Sequence, residues 1–206
     1  MLYEVRTYTL AVGDIAEFER GFAEALPHRL AYSKLGAFWH SEVGALNQVI
    51  HVWPYDDLAH RQQARAAAAK DPNWPPTHDA TLLNMESEIV IGAPFMRDLV
   101  GQVQELGSVY EMRTYTYRAG SIPTVIERWS ERIADREKYS SLAACWYTDV
   151  GQLNRWTHIW PYASLEDRAR VRAESFKDPN WPAPTREFLI SQESKLLTPA
   201  PFSPLR

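Results

Sequence analysis

The residues of this sequence that are best suited to chemistry form a short polar and aromatic set that occurs twice. Glu4, Arg6 and Tyr8 alternate along one stretch, and His51 and Trp53 alternate along another. Carboxylate, guanidinium and imidazole groups in one enclosed space can orient an anionic or carbonyl ligand, with the histidine as general acid or base. The second set of the same residue types is Glu111, Arg113, Tyr115, His158 and Trp160.

The same ten side chains also have a purely structural interpretation. A buried glutamate pairs with a neighbouring arginine to avoid an uncompensated charge, and a histidine in a sheet can simply hydrogen-bond a backbone carbonyl. His51 and His158 could also bind haem iron, but no other sequence feature supports haem. The residue types are therefore consistent with a ligand site and with a structural network. His51 and His158 are the best single candidates for a functional role.

Signatures of other chemistry are absent from the sequence. It contains no dinucleotide-binding or phosphate-binding glycine motif, no His-Glu-x-x-His zinc motif and no Gly-x-Ser-x-Gly hydrolase motif. With a single cysteine, the chain can form no intrachain disulfide and no cysteine-based metal cluster. We therefore expect no metal site and no cofactor, and we assign no catalytic residue.

Composition and charge narrow the class of protein. The 206 residues include 26 acidic and 22 basic side chains, so the charge balance gives no reason to expect a nucleic-acid partner. No run of eighteen apolar residues could span a membrane, and the charged N-terminal stretch lacks the apolar core of a signal peptide. We expect a cytoplasmic protein.

Four other residues have a structural interpretation. We expect Cys145 to be a small buried residue of the core. Trp74, in a proline-rich stretch, is expected to pack between a helix and the sheet. Arg61 and Arg65 lie four residues apart on a predicted helix, and we expect their face to be solvated.

The chain is a tandem duplication with a constant offset of 107 residues. Tyr3-Glu-Val-Arg-Thr-Tyr-Thr9 returns at Tyr110, and His51-Val-Trp-Pro-Tyr55 returns at His158. Between residues 3–99 and 110–206, 39 of the 97 aligned pairs are identical without a gap. Such self-similarity is the signature of a repeated structural unit. We predict one repeat at 1–97, a linker at 98–108 and a second repeat at 109–206.

Hydrophobic periodicity predicts the elements of each repeat. In the first repeat, period-two alternation predicts strands, helical spacing predicts helices, and Gly44-Ala-Leu-Asn47 predicts a hairpin turn. The order is strand, helix, strand, strand, helix, strand, which is ferredoxin-like. The predicted strands cover residues 2–9, 36–43, 47–54 and 82–91.

A ferredoxin-like sheet carries both helices on one face, so its other face must be covered. The fold class is therefore α+β, with two tandem βαββαβ units pairing sheet-to-sheet as an α/β barrel within one chain. A further homo-oligomer of such barrels is compatible with the sequence.

The ten candidate residues share one face of their strands. Because Val5 and Val52 lie on the alternate face and suit packing on helices, we expect the candidate face to point into the barrel. Val49 stands where the second repeat has Trp156, and His40 where it has Tyr147. The pocket of the His51 half should therefore be the larger of the two.

These motifs together resemble the NIPSNAP family. The motifs are Tyr-Glu-x-Arg-Thr-Tyr-Thr, Gly-x-Leu-Asn, His-x-Trp-x-Tyr, Asp-Pro-x-Trp and the stretch from Pro199 to Pro204. The resemblance covers nearly the whole chain except the linker, and it implies the dimeric α/β-barrel superfamily. Without an arginine-rich presequence, the chain resembles a bacterial member.

The resemblance and the residues together support several hypotheses. The first is a small-molecule-binding protein, with the ligand in the barrel, that could be a cofactor-free monooxygenase or isomerase. The second is an interaction or scaffold protein without chemistry, since eukaryotic NIPSNAP proteins are linked to mitochondrial quality control and vesicle traffic. The third is a haem-associated protein. A cavity at the histidines favours the first, and a filled barrel interior favours the second.

Overall fold

The computed structural model describes all 206 residues, as eight strands and four α-helices. Each half has the predicted order of elements. The first half comprises β1 (Leu2–Leu10), α1 (Ile15–Leu30), β2 (Ala37–Val43), β3 (Gln48–Tyr55), α2 (Leu58–Ala68) and β4 (Leu82–Gly92). The second half comprises β5 (Val109–Tyr117), α3 (Ile122–Glu137), β6 (Ala144–Val150), β7 (Arg155–Tyr162), α4 (Leu165–Ser175) and β8 (Leu189–Pro199).

Local sequence signals fix the turns and helix starts in both halves. In the hairpin between β2 and β3, Gly44 and Asn47 have φ angles of +105° and +55°, which glycine and asparagine tolerate best. The side chain of Asp57 accepts a hydrogen bond from the backbone N–H of His60 at 2.7 Å and so caps α2. Ser164 caps α4 in the same way.

The eight strands form one closed antiparallel barrel within the single chain. The strand order around the barrel is β1, β3, β2, β8, β5, β7, β6, β4. The two four-stranded halves therefore join at both edges, where β2 pairs with β8 and β4 pairs with β6. Closure leaves no unpaired sheet edge, and it holds the inner faces of the two halves opposite each other.

Apolar side chains from both halves form the core of the barrel interior, and polar inner-face residues such as Gln48, Glu88 and Arg155 line a small cavity of about 90 Å³ beside it. Trp39 of β2 packs against Tyr110 of β5, with ring centroids 5.6 Å apart. Leu99 of the segment between the halves joins this core. The strand residues of this interior core are Tyr3, Val5, Ala37, Trp39, Ile50, Val52, Val90, Tyr110, Met112, Ala144, Trp146, Ile159 and Leu197.

The four helices cover the outside of the barrel and form two further cores with the outer strand faces. The core of the first half joins Phe18 and Phe22 of α1 to strand residues such as Tyr8 and Trp53. The core of the second half joins Trp129 of α3 to its own strands. None of the four helices has the length and hydropathy needed to cross a membrane.

Candidate functional site

The candidate face of the strands points toward the helices, so the prediction that it faces the barrel interior is wrong. Glu4 is contacted by Arg61 and Arg65 of α2, and the ring of Tyr8 packs on Phe18 of α1 at 6.1 Å. The alternate face, with Val5, fills the barrel. Strand periodicity separates two faces but does not say which is inner when both are buried. Glu4 faces the helices, because only the helix side supplies the arginines that neutralise its charge.

Glu4 is the centre of a buried ion network in the first half. Its Oε1 accepts hydrogen bonds from Arg6 at 2.9 Å, Arg61 at 2.7 Å and Ser87 at 2.8 Å. Arg65 adds a longer contact at 3.4 Å. Arg61 and Arg65 are thus only partly exposed and bind Glu4, which corrects the expectation of a solvated arginine face. Burial raises the pKa of Glu4, but the hydrogen bonds of Arg61 and Ser87 and the charges of Arg65 and Arg6 lower it to about 2.

The second half reproduces this network around Glu111. Glu111 accepts hydrogen bonds from Arg113 at 2.9 Å, Arg168 at 2.7 Å and Arg172 at 3.1 Å. Ser194 donates a further bond at 3.1 Å. Burial opposes ionisation here too, and the three arginines lower the pKa of Glu111 to about 2. In each half, one carboxylate therefore meets three arginines, and the network keeps a net positive charge.

An arginine and a tyrosine continue each network toward the helices. Arg6 donates from Nε to the hydroxyl of Tyr8 at 2.5 Å, and Arg113 donates to Tyr115 at 2.8 Å. Each guanidinium thus bridges a carboxylate and a phenol. The structure brings together all five predicted residue types of each half, as the sequence analysis expects, although on the other side of the sheet.

Each histidine is held by the tryptophan two residues later. The indole Nε1–H of Trp53 donates to Nδ1 of His51 at 2.6 Å, and Trp160 donates to His158 at the same distance. Burial, followed by the charge of Arg6, lowers the pKa of His51 to about 3. Burial, followed by the charge of Arg113, also lowers the pKa of His158. Both imidazoles are therefore neutral at pH 7.

This pairing fixes the chemistry that the histidines can perform. Because Nδ1 accepts a hydrogen bond, the ring proton is on Nε2. Nε2 of His51 and Nε2 of His158 are buried and have no partner in the protein. Each is therefore an N–H donor without a free lone pair. It cannot accept a substrate proton or coordinate haem iron unless the tautomer changes, which would point two N–H groups at each other.

A second buried arginine in each half was missed by the sequence analysis. Arg29 of α1 is 3% exposed, donates to the hydroxyl of Tyr55 at 2.9 Å, and lies over the ring of Trp53 at 4.6 Å. It contacts no carboxylate, and its Nη1 has no partner. Arg136 of α3 is the equivalent residue, with an unpartnered Nη1 and a position 4.0 Å from the Trp160 ring. Burying a cation without an anion is costly, so this arrangement needs an explanation.

A cavity lies between the sheet and the helices in each half. The first has a volume of about 440 Å³ and the second about 390 Å³. No carboxylate lines either cavity. The residues shared by the two linings are, in the first half, Arg6, Tyr8, Arg29, His51, Trp53, Arg65, Trp74, Pro75 and Leu82, and their equivalents 107 residues later line the second.

The first cavity is the larger of the two, but the predicted size difference concerned pockets in the barrel interior, which these cavities are not. Val49 and Trp156 are fully buried, and neither they nor His40 lines a cavity. Among the lining residues, Ala69 of the first cavity corresponds to Phe176 of the second.

Of the other residues singled out in the sequence, His40 and Cys145 lie apart from the cavities, whereas Trp74 lines the first one. His40 lies near the start of α1, where its Nδ1 is 2.7 Å from a carboxylate oxygen of Glu19. Cys145 is fully buried in the core of the second half, as expected. Trp74 packs against the core of the first half, as predicted for a residue between helix and sheet, but it also lines the cavity.

The class of protein follows from this architecture. Two ferredoxin-like units form one closed barrel, with a cavity under the helices of each unit, and this defines a dimeric α/β-barrel protein. A candidate monooxygenase from Lactobacillus acidophilus has the same fold. It superposes with a TM-score of 0.63 over 97% of this chain and 93% of its own, and it is 11% identical in sequence.

Sequence comparison gives the family within this class. The NIPSNAP family model matches residues 3–97 and again residues 110–204. Human NipSnap homolog 3A is 33% identical over all of this chain and 86% of its own length. Mouse NipSnap homolog 3B is 34% identical over 99% of this chain and 85% of its own. The chain belongs to the NIPSNAP family.

Proposed function

We propose that this protein binds a small organic anion in the cavity between sheet and helices of each half, not in the barrel interior. The observation that carries the proposal is the pair Arg29 and His51. Both are 3% exposed, both line one cavity, and both keep a nitrogen donor without a partner. A carboxylate or a similar anion would neutralise the arginine and accept hydrogen bonds from such donors.

The rest of the lining fits an anion with an apolar body. The aromatic faces of Phe22, Trp53 and Trp74 enclose the first cavity, together with Leu82 and Met85. Volumes of about 390–440 Å³ lie in the range of pockets that hold small organic molecules. The larger first cavity should bind the bulkier ligands.

The histidine geometry favours binding over acid–base catalysis. His51 is neutral and presents N–H rather than a basic nitrogen, so it suits recognition of an acceptor atom. A cofactor-free reaction of the monooxygenase or isomerase kind would need a base that this pair does not supply. The same donor-only chemistry argues against haem ligation by either histidine.

A second candidate function is that of an interaction or scaffold protein, as some eukaryotic relatives suggest. The barrel interior supports it, because beside its packed core it has only a small cavity of about 90 Å³. The two candidates differ in what the cavities do, and a scaffold would leave them without a ligand.

Titration with 2-naphthoate, an aromatic monocarboxylate, separates the candidates. Calorimetry should show binding by the wild type and no comparable binding of 2-naphthalenemethanol, the neutral analogue. Arg29→Met should weaken binding to the first cavity about tenfold or more, because a charge-assisted hydrogen bond is lost. Arg20→Met is the matched control, since Arg20 lies on the same helix but is exposed. Equal affinity for the acid and the alcohol, or undiminished binding by folded Arg29→Met, would refute the proposal.

A further inference from the structure

The two cavities share their anion-binding core but differ at the rim. The three arginines, the tyrosine, the histidine and the two tryptophans that line the first cavity recur with the 107-residue offset, including Arg29 with its unpartnered Nη1. Several positions of the wall do not recur, and four of these exchanges change polarity or charge. Ala68, Met85, His78 and Asp79 of the first half correspond to Ser175, Gln192, Thr185 and Arg186 of the second.

The exchange at Asp79 and Arg186 reverses a charge. Arg186 lines the second cavity and forms no ion pair. Asp79, at the equivalent position, does not line the first cavity, and its backbone N–H faces Glu17. The second cavity thus has four lining arginines where the first has three.

Two of the neutral exchanges add polarity to the second cavity, whereas the exchange of His78 for Thr185 replaces an imidazole with a hydroxyl. Met85 gives the first cavity an apolar wall where Gln192 gives the second an amide. Ala68 is likewise replaced by Ser175. An additional cation and additional hydrogen-bonding groups at the mouth of a pocket favour a ligand with a second polar or acidic group.

We propose that the two halves select different anions, an inference that rests on the proposed function. The first cavity takes a monoanion with an apolar body. The second takes an anion that carries a further acidic group at the end reached by Arg186. The duplication has therefore produced one binding core with two specificities within a single chain.

Indole NMR of the wild-type protein tests this with two probes of one aromatic body, 2-naphthoate and naphthalene-2,6-dicarboxylate. The Nε1–H resonance of Trp53 reports on the first cavity and that of Trp160 on the second. The dicarboxylate should be preferred in the second cavity and the monocarboxylate in the first. Arg186→Asp should lower the dicarboxylate-to-monocarboxylate affinity ratio of the second cavity about tenfold at low salt.

Arg170→Asp controls for net charge, because Arg170 is exposed on α4 and does not line the cavity. The dicarboxylate-to-monocarboxylate affinity ratio of the second cavity in Arg170→Asp should equal that of the wild type. Equal ratios in the two cavities, unchanged by Arg186→Asp, would overturn the inference and leave anion binding intact. If neither probe shifts Trp53 or Trp160, the proposed function fails and the inference fails with it.

Discussion

The inner and outer sides of the same strands differ in packing and in polarity. On the inner side, Val5, Ile50 and Val52 join aromatic side chains of both halves in a packed core without a ligand-sized space. On the outer side, Glu4 and His51 lie beneath the helices beside a cavity of about 440 Å³. The barrel thus has its packed apolar core inside and its buried ion networks and large cavities in the outer layer.

The difference also explains where polar groups are tolerated. The inner side takes side chains mainly from the barrel's own strands, and its carboxylates, such as Glu88 at 3.7 Å from Arg155, are partly exposed. The outer side receives arginines from two helices, and Arg29 and Arg61 approach from different directions. The fully buried carboxylates Glu4 and Glu111 and the two large cavities lie on the outer side.

The largest expected effect is on the inner side. Trp39→Ala should cost about 3–5 kcal/mol of unfolding free energy, since it removes a fully buried indole where the two halves meet. Urea denaturation measures the loss. Protein that remains folded should bind 2-naphthoate as tightly as the wild type, and weakened binding would show that the two sides are coupled.

The second largest effect is expected from removing the buried carboxylate of the outer side. Glu4→Gln should destabilise the fold by about 3 kcal/mol, because three arginines lose their buried counter-charge. Glu111→Gln should match it in the second half. Thermal unfolding of both variants provides the measurement, and a neutral effect in either would mean that its network does not hold the helices to the sheet.

Lowering the pH should reduce the free energy of unfolding in two steps, both caused by residues of the outer side. The folded pKa of His51, about 3, lies below its ordinary value of 6.5, so the unfolded chain binds the extra proton and stability falls as pH drops from 6.5. This should cost about 2 kcal/mol by pH 4.5. Between pH 4.5 and about 2, protonation of Glu4 and Glu111 in the unfolded chain adds a second loss.

Denaturant titrations at each pH can separate these steps. His51→Phe should reduce the slope of the profile between pH 6.5 and 4.5, where His158 still contributes, and should leave the lower step in place. An unchanged slope in the upper range would mean that His51 does not contribute to it.

The smallest effect is expected at the edge of the network. Tyr8→Phe removes the hydroxyl that accepts from Arg6 and should cost about 1 kcal/mol of stability. It should weaken 2-naphthoate binding a few-fold, because Tyr8 lines the cavity. Thr7→Val, one residue away on the opposite side of β1, should leave binding unchanged. The same change in affinity for both variants would contradict the separation of the two sides.

Much of the fold could be predicted from the sequence because its signals are local or repeated. The gapless offset identified two equivalent units, and strand alternation with Gly44 and Asn47 at the turn predicted their elements. The need to cover the bare sheet face predicted a barrel within the chain. Pairing at both edges, β2 with β8 and β4 with β6, follows from strand curvature and register, which the pattern of residue types does not encode.

The site was only partly predictable. The five residue types of each half were identified, but their side of the sheet was inverted, since both faces are buried. Arg29 and Arg136 were missed, although a signal existed. Arg29 follows Phe22 and Leu26 at helical spacing on the buried stripe of α1, and the same arginine recurs in the second copy. A charged residue kept on an apolar stripe is a candidate ligand contact.

Crystallography of the protein with 6-bromo-2-naphthoate tests directly whether an organic anion binds between the sheet and the helices. Anomalous scattering locates the bromine, and refinement locates the carboxylate. We expect a bromine peak in the cavity lined by Trp53 and Trp74, with the carboxylate in contact with Arg29 and His51. A peak within the barrel near Trp39, or a naphthoate whose carboxylate lies away from Arg29 in the occupied cavity, would contradict it.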